Sequence, residues 1–336
     1  MDPRAFDVLL RTVRAELTPD QCRALAQAAG EAADRRDVGQ LIGAKTQAMD
    51  RERRCPRCNG NWVIKWGFNK LGRQRFFCRN CKRCFNPLTG TPLSGMCDAK
   101  NWLPFARELV DLRSVRNIEK RIGIYRSSAW RWRHRLLGAL ATRPPPTLSG
   151  IVEIDETFFG RSFKGSRAWQ EGAAPLPRMP RYRGGGVGKR GVSPVLWAPV
   201  ICAIDRNGAL LEKVLPDDSG QSIRAELDGR IEPQSLICSD GAGAYPNIAG
   251  DYECDHVAIQ LPKKNWLTTA IGAHPRVQGK LTLGRVDQRH QELKAAINHR
   301  FRGVSTRYLP NYLALLQVVR ATGGDPTVFL RSAIGI

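Results

Sequence analysis

Ile151-Val152-Glu153-Ile154-Asp155 and Ser235-Leu236-Ile237-Cys238-Ser239-Asp240-Gly241 are two apolar runs of strand composition, and each leads into an aspartate. A charge at the end of a buried strand is costly unless it faces a site, so Asp155 and Asp240 are a pair of candidate catalytic acids. Gly241 lets the chain turn sharply after the second. Two carboxylates at two strand ends suit two-metal phosphoryl transfer, in which one ion activates the attacking oxygen and the other the leaving oxygen. That chemistry calls for a third acid, and the helical stretch Val286 to Lys294 offers two. Asp287 and Lys294 are close to two turns apart and point to one face, with His290 and Gln291 flanking the stripe. On that geometry Asp287 ligates metal and Lys294 holds a phosphate oxygen. Glu292 is the rival third acid, about 140° around the helix from Asp287.

Further strands are predicted at Pro194 to Ile204, Leu210 to Leu215 and Glu253 to Ile259, with helices at Gly220 to Ile231 and from about Arg285 and Tyr308. The pattern predicts a mixed α/β domain over residues 151–320, followed by a C-terminal tail, 321–336. Residues 161–191, rich in Gly, Arg and Pro, read as a basic insertion between its first two strands. Arg143-Pro144-Pro145-Pro146 reads as a stiff linker within residues 141–150, because consecutive prolines favour an extended geometry.

Upstream, Cys55-Pro56-Arg57-Cys58 and Cys78-Arg79-Asn80-Cys81 form two knuckles separated by 19 residues, the spacing of a four-cysteine zinc ribbon, placed at residues 51–95. Four thiolates leave no open coordination position, so this zinc is structural. Cys84 is an extra thiol able to exchange with Cys81. Residues 99–140 read as helical, and Ser114 to Arg133 has the form of a helix-turn-helix around Gly123, with Ile118, Ile122, Ile124, Ala129 and Trp132 inside and Ser127 or Ser128 capping the second helix. Arg126, Arg131, Arg133 and Arg135 are expected to face a groove or phosphates, and Arg57, Arg73, Arg75, Arg79, Lys82 and Arg83 of the ribbon to touch DNA. Residues 1–48 read as a helical docking or dimerisation element, with Thr18-Pro19-Asp20-Gln21 supplying an N-cap, a proline at the first position and a glutamine at the third.

Charge points the same way. The chain of 336 residues carries a net +22, and residues 51–150 hold 22 basic against 5 acidic side chains. A field of that density needs a polyanion, for which nucleic acid is the usual partner. Ten cysteines in a long chain with no signal-like N-terminus, five of them between positions 55 and 84, argue for metal rather than disulfides. No apolar run approaches a membrane span, so the sequence reads as soluble, cytoplasmic and bacterial-type, acting at the nucleoid.

At these residues the sequence resembles the zinc-ribbon insertion-sequence transposases of the ISXO-like group, members of the DDE superfamily with a ribonuclease-H-like catalytic domain. The resemblance runs from about Cys55 to Leu316. It is carried by Cys-Pro-x-Cys with Phe85 to Leu93, by Val152-Glu153-Ile154-Asp155-Glu156-Thr157, by Ser239-Asp240-Gly241 with Tyr245, and by His290-Gln291-Glu292-Leu293-Lys294 leading to Phe301 to Tyr312. It implies an α/β ribonuclease-H-like domain preceded by a zinc ribbon and a helix-turn-helix. Its catalytic residues fall on Asp155, Asp240, Asp287 and Lys294, with Mg²⁺ (or Mn²⁺) on the three aspartates. Asp at the third position departs from the family's usual Asn or Glu, and the basic insertion is longer than the family's. The resemblance implies double-stranded DNA as partner, both terminal inverted repeats and target, and a dimer or higher oligomer to pair two ends. Two rival readings share these residues: a non-catalytic DNA-binding regulator, and a ribonuclease-H-like nuclease that cleaves without joining.

Overall fold

The computed structural model describes residues 2–96, 98–165, 197–259, 272–275 and 277–336. They fall into two compact units, Met1–Asp111 with Val115–Leu136 and Gly324–Ile336, and Leu112–Ser114 with Leu137–Gly323. No helix among the described residues is long and apolar enough to cross a membrane.

The first unit begins with α1 (Pro3–Ala15) and α2 (Pro19–Glu52). Thr18 and Gln21 close the predicted capping box, each side chain bonded to the other's backbone N–H. An antiparallel sheet of β1 (Val63–Phe68), β2 (Gln74–Cys78) and β3 (Arg83–Phe85) follows, closed around Val63, Phe76 and Phe85. Helices α3 (Trp102–Val110), α4 (Val115–Ile122) and α5 (Arg126–Ala141) come next. The tail read at 321–336 contains a helix, α10 (Pro326–Ile334), which packs on α3 through buried Phe329 and Leu330. Asp325 caps it by accepting from the N–H groups of Thr327 and Val328 at 2.7 and 3.0 Å.

The second unit is a five-stranded sheet in the order β6-β5-β4-β7-β8, built from β4 (Ile151–Gly160), β5 (Trp197–Asp205), β6 (Leu210–Val214), β7 (Leu236–Ser239) and β8 (Asp255–Ala258). β4, β5 and β6 are antiparallel neighbours, whereas β7 and β8 run parallel to β4. This mixed sheet with helices is consistent with the ribonuclease-H-like architecture that the resemblance implies. On one face Val152 and Ile154 meet Ile201, Leu211 and Ile237 beneath α6 (Gly220–Leu227) and α7 (Tyr245–Asp251), which together make a large core of the unit. The predicted helix to Ile231 stops at Leu227 because Gly229 turns the chain at φ 64°. Three elements escape the periodicity reading: α7, only seven residues long, and the hairpin β9 (Gly272–His274) and β10 (Val277–Leu281). The proline segment 143–146 lies within this second unit rather than between the two. Of the basic insertion, residues 166–191 lie outside the described residues.

On the opposite face lies α8 (Gly284–Lys294), then a π-helical turn (Ala295–Arg300) and α9 (Leu309–Ala321). Arg289 of α8 is 4% exposed and meets the fully buried Glu212 of β6 with Nε at 2.6 Å and Nη2 at 3.2 Å. Removing one member of such a pair strands the other charge in the interior. Arg289→Met is therefore expected to cost about 3–5 kcal/mol in urea unfolding, with Arg289→Met/Glu212→Leu recovering most of it. A loss below about 1 kcal/mol for the single variant would mean that the pair does not hold α8 to the sheet.

Candidate active site and metal centres

Alternation along β4 turns Glu153, Asp155 and Thr157 away from the large core, toward α8. β4 and β7 pair in parallel with Glu153 beside Cys238, and two residues farther along this register brings Asp155 alongside Asp240. Gly241 turns the chain at φ 88°, as its position after Asp240 predicts, and Asp240 Oδ1 accepts from the N–H of Ala242 at 3.0 Å.

Helix α8 lacks a capping side chain of its own. Its first turn is held by Glu153 instead, whose Oε2 accepts from the N–H groups of Arg285 at 2.8 Å and Val286 at 3.3 Å, with Arg206 Nη2 3.0 Å from Oε1. A carboxylate at a helix N-terminus satisfies orphan donors and opposes the positive end of the helix dipole. Two residues on from Glu153, Asp155 meets the next part of the helix: donor atoms of Asp155, Asp287 and His290 all lie within 4.8 Å of one another. His290 Nδ1 is 3.7 Å from Asp155 Oδ2. Asp240 is exposed and outside that compact trio, yet near enough for its charge to act on Asp155 and Glu156. Lys294 closes α8, and its charge acts on both Asp287 and His290.

Glu292, the rival acid, is engaged elsewhere. Its Oε2 accepts from Arg289 Nη1 at 2.9 Å and Arg320 Nη1 at 3.3 Å, and its Oε1 from Gln288 Nε2 at 3.1 Å. Sequence reading passed over Glu153 and Glu156. Glu156 points to the opposite side of β4 from Asp155, where the Tyr245 hydroxyl donates to its carboxylate. The signal was a glutamate in the middle of an apolar strand, as costly as the aspartate that drew attention.

Burial, and then the neighbouring Glu156, push Asp155 up to about 7, with Asp240 and Asp287 adding to the effect. Burial also raises Glu156, and the partial loss of solvent around Asp287, which stays exposed at the surface, raises that acid too. Burial and the Lys294 charge pull His290 down to about 4, so at neutral pH its ring is uncharged and its contact with Asp155 is not an ion pair. Acids that resist ionising together, beside a neutral imidazole whose Nδ1 faces Asp155, fit a divalent cation.

The second metal-fitting group is in the first unit. Cys55, Cys58, Cys78 and Cys81 bring their sulfurs within 4.8 Å of one another, with Cys55 and Cys81 3.7 Å apart and Cys58 and Cys78 3.6 Å apart. A tetrahedron with zinc–sulfur bonds of about 2.3 Å has edges of about 3.8 Å, so the donors already stand at zinc spacing. The backbone N–H of Cys81 draws Cys78 down to about 7, while burial and the adjoining sulfurs raise Cys81 to about 12. Full ionisation of the four therefore calls for a cation. Cys84 is exposed, outside the cluster, with its Sγ 3.9 Å from Arg75 Nη2.

The predicted DNA contacts divide. Lys82 is exposed, as is Arg79, whose guanidinium lies 5.3 Å from the ring centre of exposed Trp62; Arg75 is half-buried. Arg126 pairs with Glu119 at 2.7 Å, and Arg131 is exposed. Arg133 is a correction: it is 2% exposed, on the stripe of buried Ala129, Leu136 and Leu137. Two residues on a helix are about 200° apart, so Arg131 and Arg133 cannot share an outer face. The cap is a second correction, since α5 begins at Arg126 and Ser127 and Ser128 lie within its first turn. Gly123 takes φ 76° between α4 and α5, as the turn requires.

The sequence pattern of the family described as ISXO2-like transposase domain matches residues 147–317. An uncharacterized protein in transposable element ISH50 of Halobacterium salinarum is 30% identical over 201 residues, 59% of this chain. The aligned part spans 65% of that relative's length.

Two outcomes are expected. The purified chain should carry about one equivalent of zinc that thiol titration releases, and Cys58→Ser should lose it together with the ordered ribbon seen by circular dichroism. Asp155 ionises near its ordinary 3.8 in the unfolded chain and only near 7 in the folded one. Between those values the unfolded chain has already released a proton that the native one keeps, so this residue's contribution to stability falls as pH rises from 3.8 to about 7. In buffer free of added divalent ions, Asp155→Asn should thus raise Tm relative to the parent at pH 8 and much less at pH 5. An equal shift at both values would show that Asp155 is not held protonated.

Proposed function

The chain belongs to the ISXO2-like transposase domain family, and from that premise we propose that it is the DNA transposase of an insertion sequence, cleaving and joining DNA by in-line phosphoryl transfer. The reading rests above all on one observation: acids from β4 and α8 converge beside a third at the end of the adjacent parallel strand, with Lys294 on the same helix. Asp155, Asp240 and Asp287 would hold a divalent cation, Mg²⁺ or Mn²⁺. When bound, such an ion eases deprotonation of the attacking oxygen and offsets charge developing at phosphorus.

The side chains supply the rest. Lys294 holds a non-bridging oxygen of the scissile phosphate, drawing the strand toward the acids. Water is the nucleophile in nicking and the freed 3′-hydroxyl in strand transfer; both steps are displacements at phosphorus, so one set of acids serves both. The cysteine ribbon and the α4–α5 pair, read as a zinc ribbon and a helix-turn-helix, hold the terminal inverted repeats, with Arg75, Arg79, Lys82, Arg126 and Arg131 meeting phosphates. Pairing two element ends requires at least two copies.

An end-joining assay with Mg²⁺ tests this. Strand transfer by the parent chain, falling at least about 10³-fold in Asp155→Asn and Asp287→Asn, is the expected result. Cleavage without joining would make the protein a nuclease, and binding alone would make it a DNA-binding regulator.

A further inference from the structure

We propose that His290 is a nitrogen ligand of the cation at Asp155 and Asp287, and that it makes this centre favour Mn²⁺ over Mg²⁺. The inference rests on the phosphoryl-transfer reading and goes beyond it by giving the acids a neutral partner and the site a metal preference.

Three observations carry it. The ring is 6% exposed, so it is not a solvated surface histidine. Its Nδ1 edge is the one turned to the acids, and Nε2 on the opposite edge is buried with no hydrogen-bond partner, so no hydrogen bond from that side turns the ring elsewhere. The spacing is that of shared ligands: donors bonded at about 2.1–2.2 Å to one ion stand about 3.0 Å apart in cis and about 4.3 Å in trans. His290 Nδ1 lies 3.7 Å from Asp155 Oδ2, and the three donor atoms of Asp155, Asp287 and His290 fall within 4.8 Å.

The helix makes the arrangement possible. Asp287 and His290 are three residues apart on α8, one turn, so both side chains leave the same face toward β4. Arg289, between them, turns to Glu212 and pins the rotation of the helix. An imidazole in the ligand set selects among divalent ions. Mg²⁺ keeps to hard oxygen donors and dehydrates reluctantly, whereas Mn²⁺, a first-row transition ion, takes imidazole as well as carboxylate.

The test is pulsed electron paramagnetic resonance on the zinc-loaded full chain with Mn²⁺ added, read for nitrogen modulation of the Mn²⁺ signal, with calorimetric titration of Mn²⁺ and Mg²⁺. Nitrogen modulation is expected in the parent, altered by ¹⁵N-histidine labelling and lost in His290→Gln while Mn²⁺ still binds. The Mn²⁺-to-Mg²⁺ affinity ratio should then fall about tenfold. Mn²⁺ bound in the parent with oxygen ligands only would overturn the role of His290 and leave the metal site standing. Mn²⁺ binding that Asp155→Asn and Asp287→Asn leave unchanged would instead overturn the metal site, and with it both readings. The labelled parent needs no substitution, so a misfolded His290→Gln does not blunt the test.

Discussion

Glu153 joins strand to helix at the site: one buried carboxylate, two residues before Asp155, takes the first N–H groups of α8 and so ties β4 to that helix at a defined height. Arg289 on Glu212 adds the rotational constraint. With height and rotation both set, Asp287 and His290 meet Asp155, while Glu292 swings out to Arg289 and Arg320. The spacing between strand acid and helix acid is thus governed by hydrogen bonds and an ion pair, which are directional, rather than by apolar packing, which tolerates sliding.

The same arrangement carries a thermodynamic penalty. Asp155 sits where burial and Glu156 oppose its ionisation, and Asp240 and Asp287 oppose it further. A fold selected for stability alone would place an apolar or amide side chain there. Functional sites commonly hold such unfavourable groups, because the interaction that relieves them is the one used in catalysis. The four-cysteine group follows the same logic with the opposite purpose. Its sulfurs already stand at tetrahedral spacing, and the small ribbon around them, with Val63, Phe76 and Phe85 as its apolar centre, has little else to hold it closed.

Much of this was legible in the sequence because local rules governed it. The capping box at Thr18, the cysteine knuckles and the two strands running into aspartates depend on neighbours within a few residues. So does the two-turn stripe from Asp287 to Lys294. What was missed depends on tertiary partners. Arg133 reads with Arg126, Arg131 and Arg135 as a groove or phosphate contact, yet helical geometry buries it with Ala129 and Leu136. Glu153 has no local sign of its role, since its partners, Arg285 and Val286, lie far along the chain. α10 carries a local signal, Asp325 before Pro326, in a segment whose sequence reads only as a tail.

The two faces of the central sheet divide the labour. Toward α6 and α7 the strands present Val152, Ile154, Ile201, Leu211 and Ile237 to one continuous core. Toward α8 the described residues include one small apolar cluster of Cys202, Ile204, Leu210 and Val286 and another of Leu236, Cys238, Ile259 and Leu281, with Phe159, Ala198 and Val200 also buried on that face. Glu153 and Asp155 belong to β4, the strand between those two clusters. Apolar walls on both sides lower the local dielectric, which raises the cost of an unpaired charge and strengthens any charge interaction made there. With an apolar core on the first face, the second carries carboxylates on its central strand.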